Sequence, residues 1–409
     1  MEYSIFGCRL NKYYLNQWLQ YFTSHPFAEH SYLITTCEVT DRAKQKWIKL
    51  AKKKLAEGYH LYLTWCWTLK RGEILSSELF YGLYPDLRPF SNSITLLWES
   101  PLQSSRMKWS DPDVDCFASG SQWFQELKNI YTKKFVVIQN GCDNYCSFCL
   151  TVQKRGKHIS RGMEEIVEEV KKFEEWWGKE IVLTGVNIAA RWCSTSTKPN
   201  ESKFASLLRE ILQQTIIPRI RLSSLWPEYL DDDFFDVIKD PRILPHFHLS
   251  IQSFSDKVLK AMRRNYTLKN LKNILKKFRT MKIKVPVSIG ADIIVWFPWE
   301  TDEDFKETLD GIEKFTINKV HSFPFSDHHI GEKIPASSLP NQVDAVTKKY
   351  REKQLKTIAD TVEQKFYQVN KWIIHSVLVE GKGSGRTENY IKVEVDPKHT
   401  RGEIIQILL

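Results

Sequence analysis

The chain has 409 residues, 42% hydrophobic and 26% charged, a balance that excludes a disordered protein and leaves room for two or three domains. Lys and Arg number 59 against 49 acidic residues, and the formal charge of +10 suits an acidic partner such as RNA. Met1-Glu2-Tyr3-Ser4-Ile5 lacks a secretory pattern and no apolar run reaches membrane-spanning length, so the eight cysteines read as reduced cytoplasmic thiols open to metal.

Strand-like runs Tyr3–Phe6, Tyr32–Thr36 and His60–Trp65 alternate with helix-like Lys12–Phe22 and Asp41–Leu55. This predicts a small parallel α/β domain over residues 1–100. Cys8, Cys37 and Cys66 each follow one of the strands. Sites in parallel sheets form at the carboxyl ends of strands, so the three thiols are expected to converge on one edge. Three unrelated buried thiols are the alternative. Prolines at 85, 89, 101 and 112 mark a linker with short strands, assigned to residues 101–130, and its Cys116 receives no role.

The phrase Gln139-Asn140-Gly141-Cys142-Asp143-Asn144-Tyr145-Cys146-Ser147-Phe148-Cys149 follows the strand-like run Lys134–Gln139. Its Cys-x3-Cys-x2-Cys spacing places Cys142, Cys146 and Cys149 in one loop. Thiolates suit zinc or iron–sulfur clusters, and three of them can hold three corners of a cubane cluster. With no fourth cysteine nearby, one iron would stay open, as in a catalytic site. A structural zinc knuckle is the alternative reading.

From residue 131 to 330 strands and helices alternate. Strands are predicted at Phe135–Gln139, Glu180–Thr184, Arg219–Leu225, His246–Gln252, Pro286–Val295 and Val320–Phe325. Helices are predicted at Met163–Trp176, Lys203–Gln214, Leu230–Ile238, Lys257–Arg263, Leu268–Met281 and Thr301–Phe315. In the first of these, Ile166, Val167, Val170 and Phe173 form an apolar stripe. These units fit a partial (β/α)6 barrel, whose chemistry gathers at the carboxyl ends of the strands. Thr184, Gly185 and Asn187, then Ser223 and Gln252, fall at those ends. Arg263 follows the next helix, where its guanidinium suits a carboxylate. Cys193 reads as a loop thiol. Residues 331–370 read as a charged helical connector and 371–409 as a short β-module, in which Arg386, Tyr390 and Lys392 offer phosphate and stacking contacts. A module that only packs on the barrel is equally compatible with that pattern.

The cysteine loop resembles the signature of the radical S-adenosylmethionine enzymes. Ile138–Cys149, followed by Arg155-Gly156 and Ser160-Arg161, resembles their methylthiotransferase branch. Gly7-Cys8 with Asn11, Thr36-Cys37-Glu38-Val39-Thr40 and Thr64-Trp65-Cys66 resemble that family's N-terminal domain, and Gly385–Val393 resembles its TRAM module. The resemblance implies two 4Fe–4S clusters. One, on Cys142, Cys146 and Cys149, cleaves S-adenosylmethionine to a 5′-deoxyadenosyl radical. The other, on Cys8, Cys37 and Cys66, delivers the sulfur. It further implies cosubstrate contacts by Thr184, Gly185, Asn187, Ser223, Gln252 and Arg263, a tRNA anticodon stem-loop as partner, and an electron donor such as flavodoxin or ferredoxin. A monomer without membrane contact is expected. Thr36–Thr40 and Thr184–Asn187 look most like the branch acting on C2 of N6-threonylcarbamoyladenosine. Isopentenyladenosine in tRNA and a ribosomal-protein aspartate are the neighbouring substrates, and a non-catalytic, zinc-holding RNA-binding protein is the alternative of another class.

Trp65, Trp192, Trp296 and Trp299, with Trp176, stand where the resembled family has glycine. Glycine at tight turns often supplies a positive φ that bulky residues tolerate badly. Either the backbone is strained there, or these codons mean glycine in the source organism, UGA being the triplet able to carry both readings.

Overall fold

The computed structural model describes residues 1–6, 9–37, 40–71, 73–97, 132–190, 203–328, 332–340, 343–381 and 383–409. Cys8, Cys116, Cys193 and Trp192 lie outside these residues, as does the side chain of Trp65. Two compact units form, and neither is one continuous stretch. The first draws on Met1–Ile130, Asn140–Ile159 and Ser326–Ser338; the second takes Tyr131–Gln139, Ser160–Phe325 and Leu339–Leu409. The cysteine loop therefore belongs to the first unit, although its place in the chain would assign it to the barrel.

In the first unit, β1 (Glu2–Ile5), β2 (Ser31–Thr36), β3 (His60–Trp65) and β4 (Ile94–Leu96) pair side by side, all parallel. Helix α1 (Arg9–Ser24) and α2 (Asp41–Ala56) supply the crossovers. Thr40 caps α2 by accepting the Ala43 N–H. Trp47, Ala51 and Leu55 then form one apolar stripe, buried with Leu61, Leu63 and Phe80. A Trp47→Ala change would cost about 3–5 kcal/mol through the cavity left behind. The predicted linker, residues 101–130, lies outside the described residues; before it, Ser77–Leu83 is a helix and β4 completes the sheet.

The second unit strings six parallel strands in sequence order. Strands β5 (Lys134–Val137), β6 (Glu180–Thr184) and β7 (Arg219–Leu222) make one sheet. Strands β8 (His246–Gln252), β9 (Ser288–Val295) and β10 (Lys319–Pro324) make the next. Bridges Ile220↔Ile243 and Leu225↔Leu249 join the two. Helices α3 (Met163–Glu175), α4 (Lys203–Gln214), α5 (Asp232–Val237), α6 (Leu268–Thr280) and α7 (Asp302–Lys314) cover one face. That face buries Phe247, Leu249, Ile251, Ile289, Ala291, Ile293 and Val295. Strand alternation sends His246, His248, Ser250 and Asp292 to the opposite, inner face. The predicted partial (β/α)6 architecture is thus present.

Helix α8 (Ala345–Asn370) leads into an antiparallel sheet of β11 (Ile374–Gly381), β12 (Ser384–Thr387), β13 (Lys392–Glu394) and β14 (Ile404–Leu408). This sheet fits the predicted TRAM-like module. Among the described residues, no helix is long and apolar enough to cross a membrane.

Candidate functional site

Strand register decides where two of the N-terminal thiols go. Thr36 of β2 pairs with Trp65 of β3, so Cys37 and Cys66, each the next residue, leave neighbouring strands side by side. Parallel strands lie about 4.8 Å apart. Asn11, fully buried, donates to Thr36 O at 3.1 Å and also to Phe6 O, fixing the same edge from α1. Thr36 Oγ1 donates to Thr64 O at 3.0 Å.

The loop carrying Cys142, Cys146 and Cys149 is shaped by its own backbone. Gly141 has φ +69, and a Cβ there would come within 1.8 Å of Lys157 O, so only glycine fits. Cys142 N–H donates to Gly156 O at 3.2 Å, and Cys149 N–H to Cys146 O at 3.2 Å. Cys142 and Cys146 are buried and Cys149 is half-buried, its sulfur accepting the Thr151 N–H at 3.3 Å. Burial pushes the Cys142 thiol up to about 12. Such a thiol is a poor free nucleophile, and a coordinating metal would deprotonate it outright. Three thiols carried by one short loop fit a thiolate-bound cluster by the chemistry of their donor set.

The short helix Thr151–Arg155 aims Arg155 Nη2 at Cys66 Sγ, 3.2 Å away. Arg71 N–H donates to Gln153 O at 2.7 Å, and Ala336 N–H to Ser147 O at 2.9 Å. Segment 332–338 adds Glu332, which pairs with the buried Lys154 at 3.2 Å. The sequence did not reveal the Arg155–Cys66 contact; the Arg-Gly phrase was its only signal.

In the second unit, Thr184, Asn187 and Ser223 gather at the carboxyl ends of β6 and β7. Ser223 N–H donates to Leu183 O at 3.0 Å, which sets Ser223 beside Thr184. Gln139 Oε1 accepts the N–H groups of Val186 and Asn187, both at 2.9 Å. A Cβ on Gly185 would sit 2.8 Å from Gln139 O, so this staple needs glycine. Thr184 Oγ1, both polar atoms of the Asn187 side chain, and Ser223 Oγ are buried without a hydrogen-bond partner. Buried polar groups are nearly always paired, so four such atoms at one strand edge fit a polar ligand such as S-adenosylmethionine. Gln252 ends β8, is 7% exposed and holds φ +70 after a bulge.

Arg263 is not part of this arrangement. It follows Met262, the C-cap of the short helix Asp256–Ala261, with φ +58, and its side chain is exposed. The next residue, Arg264, is buried instead: Nη2 donates to Ser250 O at 2.9 Å and the guanidinium lies 3.8 Å from the Trp226 ring. The αL turn at Arg263 passes the inward position on by one residue.

Two polar clusters on the inner face escaped the sequence reading. His248 Nε2 lies 2.8 Å from Asp292 Oδ1, and His321 Nδ1 3.6 Å from the same oxygen. Burial alone would raise the Asp292 carboxyl, but the imidazoles of His248 and His321 outweigh it and hold it well below the usual carboxylate range. The His-x-His alternation of β8 was the available signal. At the other end of the strands, Glu180 receives Arg219 Nε at 2.8 Å and Arg221 Nε at 2.9 Å. Those guanidinium groups continue to Ser376 O, Thr387 O and Glu388 O of the C-terminal sheet.

This junction uses two of the predicted RNA contacts. The Tyr390 ring stacks on His246 at 4.2 Å, with Arg221 at 4.7 Å and Arg386 at 4.5 Å from its centre. Arg386 also pairs with Glu380 at 3.1 Å. Lys392 alone of the three is exposed.

A family model, that of the Radical SAM superfamily, matches residues 136–312. The chain is 30% identical to the threonylcarbamoyladenosine tRNA methylthiotransferase MtaB of Rickettsia prowazekii, over 99% of this chain and 93% of that one. The chain belongs to the radical S-adenosylmethionine methylthiotransferase family. An Aquifex aeolicus protein of the same name is 32% identical over 68% of this chain and 65% of its own. A tRNA-2-methylthio-N(6)-dimethylallyladenosine synthase of Syntrophotalea carbinolica is 32% identical over 62% of this chain and 57% of its own. As a radical S-adenosylmethionine methylthiotransferase, the protein is an enzyme that uses a 4Fe–4S cluster and S-adenosylmethionine.

Proposed function

We propose that this methylthiotransferase acts on tRNA and adds a methylthio group to C2 of N6-threonylcarbamoyladenosine beside the anticodon. The observation that carries this reading is the near full-length similarity to the Rickettsia protein of that name. The +10 charge supports an RNA substrate, and the exposed Lys392 is available for phosphate. Similarity to dimethylallyladenosine synthases keeps isopentenyladenosine as the second reading.

Cys142, Cys146 and Cys149 would hold the family's 4Fe–4S cluster, which with S-adenosylmethionine supplies the electron and the hydrogen-abstracting radical. Thr184, Asn187 and Ser223 offer their unpaired polar atoms to the cosubstrate, and Gln139 holds the Gly185–Asn187 turn in place for them. Cys37 and Cys66, with Cys8, would hold a second cluster, its edge fixed by Asn11 and its Cys66 ligand faced by Arg155.

Nucleoside analysis of tRNA from cells with and without the gene tests the substrate. Loss of 2-methylthio-N6-threonylcarbamoyladenosine alone is the expected result. Loss of the isopentenyl nucleoside instead transfers the assignment to the second reading, and unchanged levels of both defeat it.

A further inference from the structure

Tryptophan occurs 14 times in this chain and glycine only 17 times, where about 7% of the residues, roughly 29, would be ordinary. The backbone shows where the imbalance falls. Among the described residues, twelve other than glycine have a positive φ, and four of those are tryptophans: Trp177 at +60, Trp296 at +69, Trp299 at +71 and Trp372 at +68. A bulky residue in this region is an outlier, because its Cβ crowds the following carbonyl. We propose that Trp177, Trp296, Trp299 and Trp372 are glycines in the working protein, their shared codon being translated there as glycine.

Two of the four occupy motifs whose hydrogen bonds define a glycine position. Helix α3 ends at the cap residue Trp176, with Trp177 next. Trp177 N–H donates to Glu174 O at 2.9 Å, and Gly178 N–H to Phe173 O at 3.0 Å. That pair of bonds is the Schellman ending, which places a left-handed residue, usually glycine, where Trp177 stands. Trp176 itself has φ −92 and is unstrained, so the position that demands glycine is one residue later than the sequence suggested. Further along, Glu300 N–H donates to Phe297 O at 3.0 Å, closing a turn with Pro298 first inside it and Trp299 second. Proline followed by a positive φ is the type II pattern, which calls for glycine at its second inner position.

Side-chain surroundings point the same way. Trp177 and Trp372 are 83% and 82% exposed, so they bury little surface in return for the backbone strain. Trp296 is the reverse case: it is buried, so its placement rests on its backbone. Trp18 and Trp47, by contrast, are 4% and 0% exposed, sit in helices and pack in hydrophobic cores. The chain therefore carries two populations, one placed as tryptophan and one placed as glycine. UGA, which different genetic codes translate as tryptophan or as glycine, accounts for the second population, and UGG for the first.

The inference does not depend on which nucleoside is modified. Trp296 and Trp299 directly follow β9, so glycine there would take two indoles away from the end of a barrel strand. Peptide mass spectrometry of the protein purified from its source cells tests the proposal. Glycine at 177, 296, 299 and 372 with tryptophan at 18 and 47 is expected; tryptophan at any of the four overturns it. A second measurement compares two recombinant chains made in a host of standard code, one as written and one carrying W177G, W296G, W299G and W372G. The glycine chain is expected to have the higher Tm, or to fold where the other does not. An equal or lower Tm overturns the proposal.

Discussion

Arg155 Nη2 stands 3.2 Å from Cys66 Sγ. The residue ends the short helix that follows the loop of Cys142, Cys146 and Cys149, and the thiol comes from the end of β3. A guanidinium at this distance favours the thiolate over the thiol, and thiolate is the form that binds metal. Arg155→Gln is therefore expected to weaken metal retention at the proposed N-terminal cluster alone. After anaerobic reconstitution and a chelator challenge, iron per chain should fall toward that of Cys66→Ala, and Arg155→Lys should recover most of it. Iron content equal to the parent protein would exclude this role for Arg155.

Asn187 gives a prediction with two opposed readouts. Its side-chain polar atoms are buried and make no protein hydrogen bond, so they contribute nothing to the fold in return for their desolvation. Asn187→Ala should leave Tm unchanged or raise it. The same change should weaken S-adenosylmethionine binding, measured by calorimetry, by about 1–3 kcal/mol, the cost of losing hydrogen bonds to a charged ligand. A fall in Tm with unchanged affinity would make Asn187 a structural residue only.

Glu180 anchors the junction between β6, β7 and the C-terminal sheet. Burial would raise its carboxyl, but Arg221, Arg219 and Lys133 more than compensate and hold it below 4.5, the ordinary value. A depressed acid stabilises the fold above its unfolded pKa, and that contribution is lost as pH falls through and below about 4.5. Glu180→Gln leaves two buried guanidinium groups without their counter-charge, which should cost about 3–5 kcal/mol at neutral pH. Thermal scans should show the gap between parent and variant narrowing on acidification; a constant gap would count against this pairing.

The partners of Glu180 were not legible in the sequence, and the reason is physical. Helices and strands of the barrel repeat at periods the residues themselves display, which is why Glu180–Thr184, Lys203–Gln214 and His246–Gln252 form where expected. Tyr390 carries no such mark. Its ring is usable either for a base or for His246, and only the approach of the C-terminal sheet to Arg221 selects the second. Arg263 and Arg264 are equivalent as a dipeptide, and one positive φ decides which turns inward. The places of Cys37 and Cys66 after β2 and β3 were legible because each follows an apolar strand-like run, whereas Arg155 reaches Cys66 across 89 residues of chain. Tyr390→Ala is accordingly expected to lower Tm, while Lys392→Glu should weaken tRNA binding at constant Tm.

Lys44 and His328 form a pH-sensitive pair in the first unit. Lys44 is fully buried, with Nζ 2.8 Å from His328 Nδ1 and 3.4 Å from Asp41 Oδ1. Burial, and then the Lys44 charge, depress His328 from 6.5 to about 4. A histidine held neutral in the fold contributes fully above 6.5, and its contribution is lost as pH falls from 6.5 toward 4, up to about 3 kcal/mol in all. His328→Gln keeps an acceptor for Lys44 without a titrating proton. Its Tm should decline less steeply over that range than the parent's; parallel profiles would remove His328 as the cause.

The same pair ties an early part of the chain to a late one. Lys44 emerges from the ribosome early, yet its neutral partner follows 284 residues later, and Ser326, whose hydroxyl receives the Asp41 N–H at 3.0 Å, comes 285 residues after Asp41. A nascent chain stopped at residue 130 has a four-stranded sheet to build and lacks His328, against which the Lys44 ammonium is buried. Completion of the first unit must therefore wait until most of the second has been synthesised. Excising residues 1–130 as a portable cluster-binding fragment would remove both the thiol loop and the lysine's partner.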